Sequence, residues 1–164
     1  MVTFNDVQAQ LICLKTKASF LGINEVRKLA FILDPNEKIL VCKKGWVNKK
    51  STFLCVTDKK IAFIDVRSRK HVMGVIPFDE VTSVFRSNGR LTQVVRINTQ
   101  DTFLQFVVWH KRNAKELFAI IDRHIRYLQN TVISTRKAHS PKVARDMQSW
   151  RTLVKRMGYT SVVG

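Results

Sequence analysis

Between residues 38 and 109 apolar residues recur in short runs separated by polar or glycine-containing breaks. The runs 38–46, 51–57, 60–66, 71–76, 82–86, 91–98 and 102–109 are rich in β-branched and aromatic residues, which suit a pleated, half-buried surface. Seven such runs at close spacing predict the strands of a small antiparallel barrel or sandwich. In 91–98, Val95 and Ile97 alternate with Arg96 and Asn98, the pattern of a strand with one face in the core. In 102–109 both faces are apolar: Leu104, Phe106 and Val108 on one, Phe103, Val107 and Trp109 on the other. That predicts cover on both sides. Asn88-Gly89, between Ser87 and Arg90, predicts a hairpin corner that wants positive φ.

The period changes outside this region. Residues 6–18 predict a helix capped by Asn5 or Asp6, with Val7, Leu11, Leu14 and Ala18 on one stripe. Asn24 predicts the cap of a shorter helix that presents Val26, Leu29, Ala30 and Leu33 before Asp34-Pro35 stops it. Both are too short to stand alone, so their stripes must pack on the barrel or on a partner subunit. After His110, Asn113 with Glu116 resembles a capping box. Ala114, Leu117, Phe118, Ile121, Ile125, Leu128 and Val132 then repeat at helical spacing, predicting about five turns that close one end of the barrel. Residues 134–140 read as a polar linker. Ser140-Pro141 opens a last helix over 141–157, with Val143, Met147, Trp150, Val154 and Met157 on its apolar stripe. The organisation is thus a helical extension over 1–33, a strand-rich domain over 34–133, and a linker with a basic amphipathic helix over 134–164. The class is α+β.

Charge changes this picture most. The chain has 164 residues with 29 Lys+Arg against 12 Asp+Glu, a net charge of +17. So large an excess repels itself in a folded domain and points to a polyanionic partner. Cys13, Cys42 and Cys55 are odd in number and widely spaced, so reduced thiols are expected, which favours a cytoplasmic setting. The first residues lack the features of a signal peptide, and no apolar run approaches the roughly 20 residues of a membrane span.

Seven strands followed by a helix is the order of a pleckstrin-homology (PH)-like domain. Three segments sharpen the likeness: Leu-Asp-Pro-Asn-Glu-Lys-Ile-Leu (33–40), Leu-Cys-Val-Thr-Asp-Lys-Lys-Ile-Ala-Phe (54–63) and Val-Ile-Pro-Phe-Asp-Glu-Val-Thr-Ser-Val (75–84). Over roughly 25–130 the chain resembles the bacterial and phage PH-like domains of the YokE-like type. The resemblance implies a seven-stranded antiparallel barrel or sandwich capped by a C-terminal helix, here with extra N- and C-terminal helices. It implies no catalytic residues.

No motif for enzymatic chemistry is present: no Gly-rich phosphate loop, no Gly-x-Ser-x-Gly, no His-Glu-x-x-His. His71, His110, His124 and His139 are scattered without cysteine or carboxylate at ligand spacing, so neither metal nor cofactor is expected. Asp58 is expected to make the turn of Thr-Asp-Lys-Lys by bonding to backbone. Basic clusters carry the functional signal. Lys43, Lys44, Lys49 and Lys50 flank the first hairpin around Trp46. Arg67, Arg69 and Lys70 lie between the third and fourth strands. The resemblance implies that these two loops lie side by side, as where many eukaryotic relatives hold phosphoinositide head groups. Lysine and arginine donors from both would form a phosphate-binding concavity. Trp46 could stack on a base, sit in a membrane interface or pack at the barrel end. Arg145, Arg151, Lys155 and Arg156 give the last helix a basic face, open to barrel or subunit docking, membrane binding or a phosphate backbone. A non-catalytic polyanion-binding module is expected, with nucleic acid first among partners. The alternatives are an anionic membrane surface and a protein partner or homo-oligomer.

Overall fold

Seven antiparallel strands form one sheet in the computed structural model, which describes residues 2–14, 22–65 and 73–135. They are β1 (Ile39–Val47), β2 (Lys50–Thr57), β3 (Lys60–Asp65), β4 (Met73–Pro77), β5 (Val81–Asn88), β6 (Gln93–Thr99) and β7 (Phe103–Val108), ordered β4-β3-β2-β1-β7-β6-β5. Among the described residues three helices accompany them: α1 (Phe4–Cys13), α2 (Ile23–Ile32) and α3 (Lys111–Thr135). All seven strands fall within two or three residues of the sequence reading, because alternation and β-branching set the period locally.

The inner face of the sheet and one stripe of α3 enclose the main core. Leu54, Phe63, Ile97 and Phe106 meet Ala114, Leu117 and Ile121 there, all essentially inaccessible to solvent. Gly45 lets β1 cross close to β7: a Cβ at this position would fall onto the Val107 carbonyl oxygen and the Phe106 ring. A second core lies on the outer face. Val7 and Leu11 of α1 and Val26 and Leu29 of α2 pack over Cys42, Phe53, Cys55, Ala62 and Ile64. Gln10 fixes α1 to the sheet margin, donating to the Glu37 carbonyl (3.2 Å) and accepting from the Ile39 N–H (2.8 Å). The N-terminal stripes therefore pack on the barrel.

Several local expectations are corrected. Thr3, not Asn5 or Asp6, caps α1: its hydroxyl accepts from the Asp6 N–H while the Asp6 carboxylate accepts from the Thr3 N–H. The Thr3 hydroxyl can also donate to the Asp6 carboxylate (2.7 Å), and this bond, with the one from the Thr3 N–H, holds the Asp6 carboxyl below its ordinary pKa. Gly22, not Asn24, is the cap position of α2. Asn113 opens no capping box, since α3 already starts at Lys111; Glu116 turns instead to Lys43. The helix runs 25 residues, through 134 and 135, which were read as linker. Asn88 ends β5, and the hairpin closes through a longer loop in which the Gly89 N–H donates to the Thr92 carbonyl (2.8 Å), so no positive-φ corner is needed. Double cover falls on β2 and β3, where Phe53–Thr57 and Ile61–Ile64 are buried throughout. On β7 the second apolar face stays partly open: Phe103 and Val107 are half-buried and Trp109 is exposed. The expected helix at 141–157 lies outside the described residues.

Candidate polyanion-binding site

The β1–β2 hairpin closes in two residues, since Val47 pairs with Lys50. Asn48 (φ 48°) and Lys49 (φ 63°) both take left-handed backbone, as a two-residue turn matched to strand twist requires. Asparagine tolerates this conformation; lysine does so at a cost of about 1 kcal/mol. Lys49 and Lys50 are exposed at the tip. A position where glycine fits best carries a solvated cation, and strain held at an exposed tip marks a candidate functional residue. Lys49→Gly is expected to raise stability by about 0.5 kcal/mol, the relieved strain less the entropy lost by glycine. The same variant is expected to weaken polyanion binding. Urea unfolding and a binding titration on one variant therefore move in opposite directions; a parallel fall in both contradicts the assignment.

Adjacent strand positions face opposite ways. Lys44 and Trp46 stand on the outer face, with Lys44 exposed and Trp46 half-buried. Lys43 points to the other side and pairs with Glu116 of α3 at 2.9 Å, its side chain only 19% exposed. The register thus separates Lys43 from Lys44; Lys50, paired with Val47 of the inner core, falls on the Lys43 side and is exposed at the hairpin tip beside Lys49. Trp46 meets Trp109 edge to face, with centroids 5.4 Å apart. The chain leaves β3 and enters β4 at this same end of the sheet, since Asp65 pairs with Thr52 beside the hairpin and Ile64 pairs with Met73. Arg67, Arg69 and Lys70 fall between these strands, outside the described residues, as do Arg145, Arg151, Lys155 and Arg156.

Sequence reading missed Arg96. Its guanidinium lies over the Phe103 ring (3.9 Å to the centroid), and its Nε donates to Asn98 Oδ1 (3.0 Å). Asn98 in turn donates to Ser83 (3.0 Å). Alternation placed Arg96 on the outer face, but only strand order brings it beside Phe103.

The motif segments have a structural explanation. Glu37 is buried to 2% exposure. One oxygen accepts from the Thr57 hydroxyl (2.5 Å); the other accepts from the Asp34 N–H (2.8 Å) and pairs with Lys60 (3.0 Å). Lys60 also reaches Asp34 (3.0 Å), whose carboxyl is held below its usual pKa chiefly by that bond. Burial alone would depress the Lys60 ammonium, but the bonds to Asp34 and Glu37 outweigh it and raise its pKa. Asp58 accepts from the Lys38 N–H (2.9 Å), and His124 of α3 donates its Nε2–H to the Asp58 carbonyl (2.8 Å). No buried side-chain nitrogen or oxygen of this cluster lacks a partner, so it braces the fold. Cys42 and Cys55 are buried free thiols 3.0 Å apart under α1 and α2, and burial pushes the Cys42 thiol well up. Among the described residues no group of three or more His, Cys, Asp or Glu could hold a metal ion, and no helix is long and apolar enough to cross a membrane.

The family model described as "Bacterial PH domain" matches residues 33–123. No curated protein matches the chain in sequence. Among solved structures, the Vps36 N-terminal PH domain is similar at 15% identity and TM-score 0.48, covering 60% of this chain and 86% of that one. The N-terminal PH domain of human ARAP2 is similar at 14% identity and TM-score 0.43, covering 64% and 91%.

Proposed function

Because the chain belongs to the bacterial PH-domain family, matched over 33–123 of its 164 residues, we propose that it is a non-catalytic binding module for a polyanion, with nucleic acid, RNA or DNA, as the partner. The hairpin carries this reading. Lys44, Lys49 and Lys50 are exposed beside Trp46, and among the described residues none of the three forms an ion pair with a carboxylate. Lys44 on the outer face, and Lys49 and Lys50 at the hairpin tip, can each meet a phosphate oxygen. Arg67, Arg69 and Lys70, which follow β3 in sequence and lie outside the described residues, add to the positive charge.

An anionic bilayer also presents phosphates. Nucleic acid is favoured because the charge is not confined to one pocket: Lys111, Arg112, Lys115 and Arg123 are exposed along α3 as well. A spread field suits an extended backbone better than one head group. The three motifs at 33–40, 54–63 and 75–84 support the narrower YokE-like placement within the family. Anisotropy with labelled RNA and DNA, run beside co-sedimentation with phosphatidylserine vesicles, tests the reading. Nucleic acid is expected to bind and vesicles to leave the protein in solution. Capture by vesicles alone would transfer the proposal to the membrane surface.

A further inference from the structure

Among the described residues, helices α1 and α2 pack over the outer face of β1–β3, with Val75 of β4 at the margin, and leave the other half of that face uncovered. The outer positions of β5, β6, β7 and the end of β1 form a second region with its own register. Ser83, Asn98 and Phe103 make one cross-strand row; Phe85, Arg96 and Gln105 the next; Ser87, Val94, Val107 and Trp46 the third. Trp109 and Lys44 follow beyond. Rows two residues apart are about 7 Å apart, and neighbouring strands about 4.8 Å. A shallow concavity of about 480 Å³ lies over Phe85, Ser87, Val94, Arg96, Asn98 and Gln105. Phe85 is 58% and Trp109 57% exposed. No outer position of these four strands carries a carboxylate, while Arg96 and Lys44 carry positive charge.

We infer that this open sheet face is a stacking platform for single-stranded nucleic acid, its bases meeting Phe85 and the Trp46–Trp109 pair and its phosphates meeting Arg96 and Lys44; the inference rests on the polyanion reading above. Aromatic faces accept any base, because every base has a π-face, and each stacked base contributes about 1–3 kcal/mol. Arg96 is already oriented by Phe103 and Asn98, so little side-chain freedom is lost when its remaining N–H groups meet a phosphate. Lys44 joins the platform to the basic hairpin, so one strand can run from the aromatic rows to Lys49 and Lys50. A duplex keeps its bases stacked inside and reaches only the cations. Single strands are therefore preferred, and the preference resides in the aromatics.

The test uses the full chain, a labelled single-stranded RNA of about 12 nucleotides and a duplex of the same sequence. The Phe85→Ala/Trp109→Ala variant is expected to bind the single strand roughly 30-fold more weakly, two stacking contacts being lost, while duplex affinity changes by less than about threefold. Should that variant fail to fold, Phe85→Leu keeps apolar area at an exposed site and removes the ring; about a fivefold loss for the single strand alone is expected. Unchanged single-strand affinity overturns the platform, as do equal losses for both forms, or displacement of the RNA by polyglutamate at equal charge. A lower melting temperature with unchanged binding also overturns it, showing that protein covers this face. If wild-type protein binds duplex and single strand alike and the aromatics do not matter, the platform falls and the polyanion reading stands. If it binds neither, both fall.

Discussion

Exchanging Lys44, Lys49 and Lys50 together for glutamate is expected to lower nucleic-acid affinity at least roughly a hundredfold, with the salt dependence shallower by about three ions. Each lysine lost from a phosphate forfeits about one released counterion, and each glutamate adds repulsion. Stability should hold within about 0.5 kcal/mol, because all three side chains are exposed and without carboxylate partners among the described residues. Lys43→Ala is the matched control. Lys43 lies one residue away but faces α3 and pairs with Glu116. It should leave affinity within about twofold and lower stability by at most about 1 kcal/mol. Equal losses of affinity from both changes would show that net charge, not the hairpin, governs binding.

Glu37→Ala is expected to destabilise the fold by about 3 kcal/mol, read from the urea midpoint. The substitution deprives the Thr57 hydroxyl, the Asp34 N–H and the Lys60 ammonium of an acceptor whose own side chain is inaccessible to solvent. Lys60 keeps Asp34, so the effect stays at the lower end for a broken buried pair. The same cluster shapes the pH profile. Asp34 has a lowered folded pKa, so its contribution is present above the free aspartate value of about 3.9 and fades as pH falls through the lower folded value. Lys60 has a raised folded pKa, so its contribution is present below about 10.4 and fades as pH rises through the higher folded value. The plateau lies between. Removing Glu37 takes one of the two bonds that raise Lys60, so the alkaline limb should begin at lower pH. An unchanged alkaline limb would mean that Asp34 alone sets the Lys60 pKa.

Strands were legible because their signal is local. Val95 and Ile97 against Arg96 and Asn98 state which face is inside without any tertiary knowledge. The choice of which strand is covered twice is not local. Both β2 and β7 are apolar on two faces, but α1 and α2 are only ten residues each and lie over β1–β3 and the edge of β4, leaving Phe103, Val107 and Trp109 partly open. The basic cluster was legible as composition and misread as geometry. Lys43 and Lys44 cannot share a face of one strand, and alternation alone could have divided them. Glu37 gave no such warning. In Asp-Pro-Asn-Glu it reads as a solvated turn residue, and its burial depends on Thr57 and Lys60, which are 20 and 23 positions away. Arg96 was placed on the right face, but its place over Phe103 depends on β6 and β7 being neighbours.

The most direct measurement of the central claim is the salt dependence of nucleic-acid binding by the wild-type chain. With Lys44, Lys49 and Lys50 all on phosphates, log affinity against log salt should fall with a slope of about −2 for single strands and about −3 for duplex, or steeper. A slope near zero with measurable affinity would contradict the phosphate-binding hairpin. Absence of binding at low salt would remove nucleic acid as the partner.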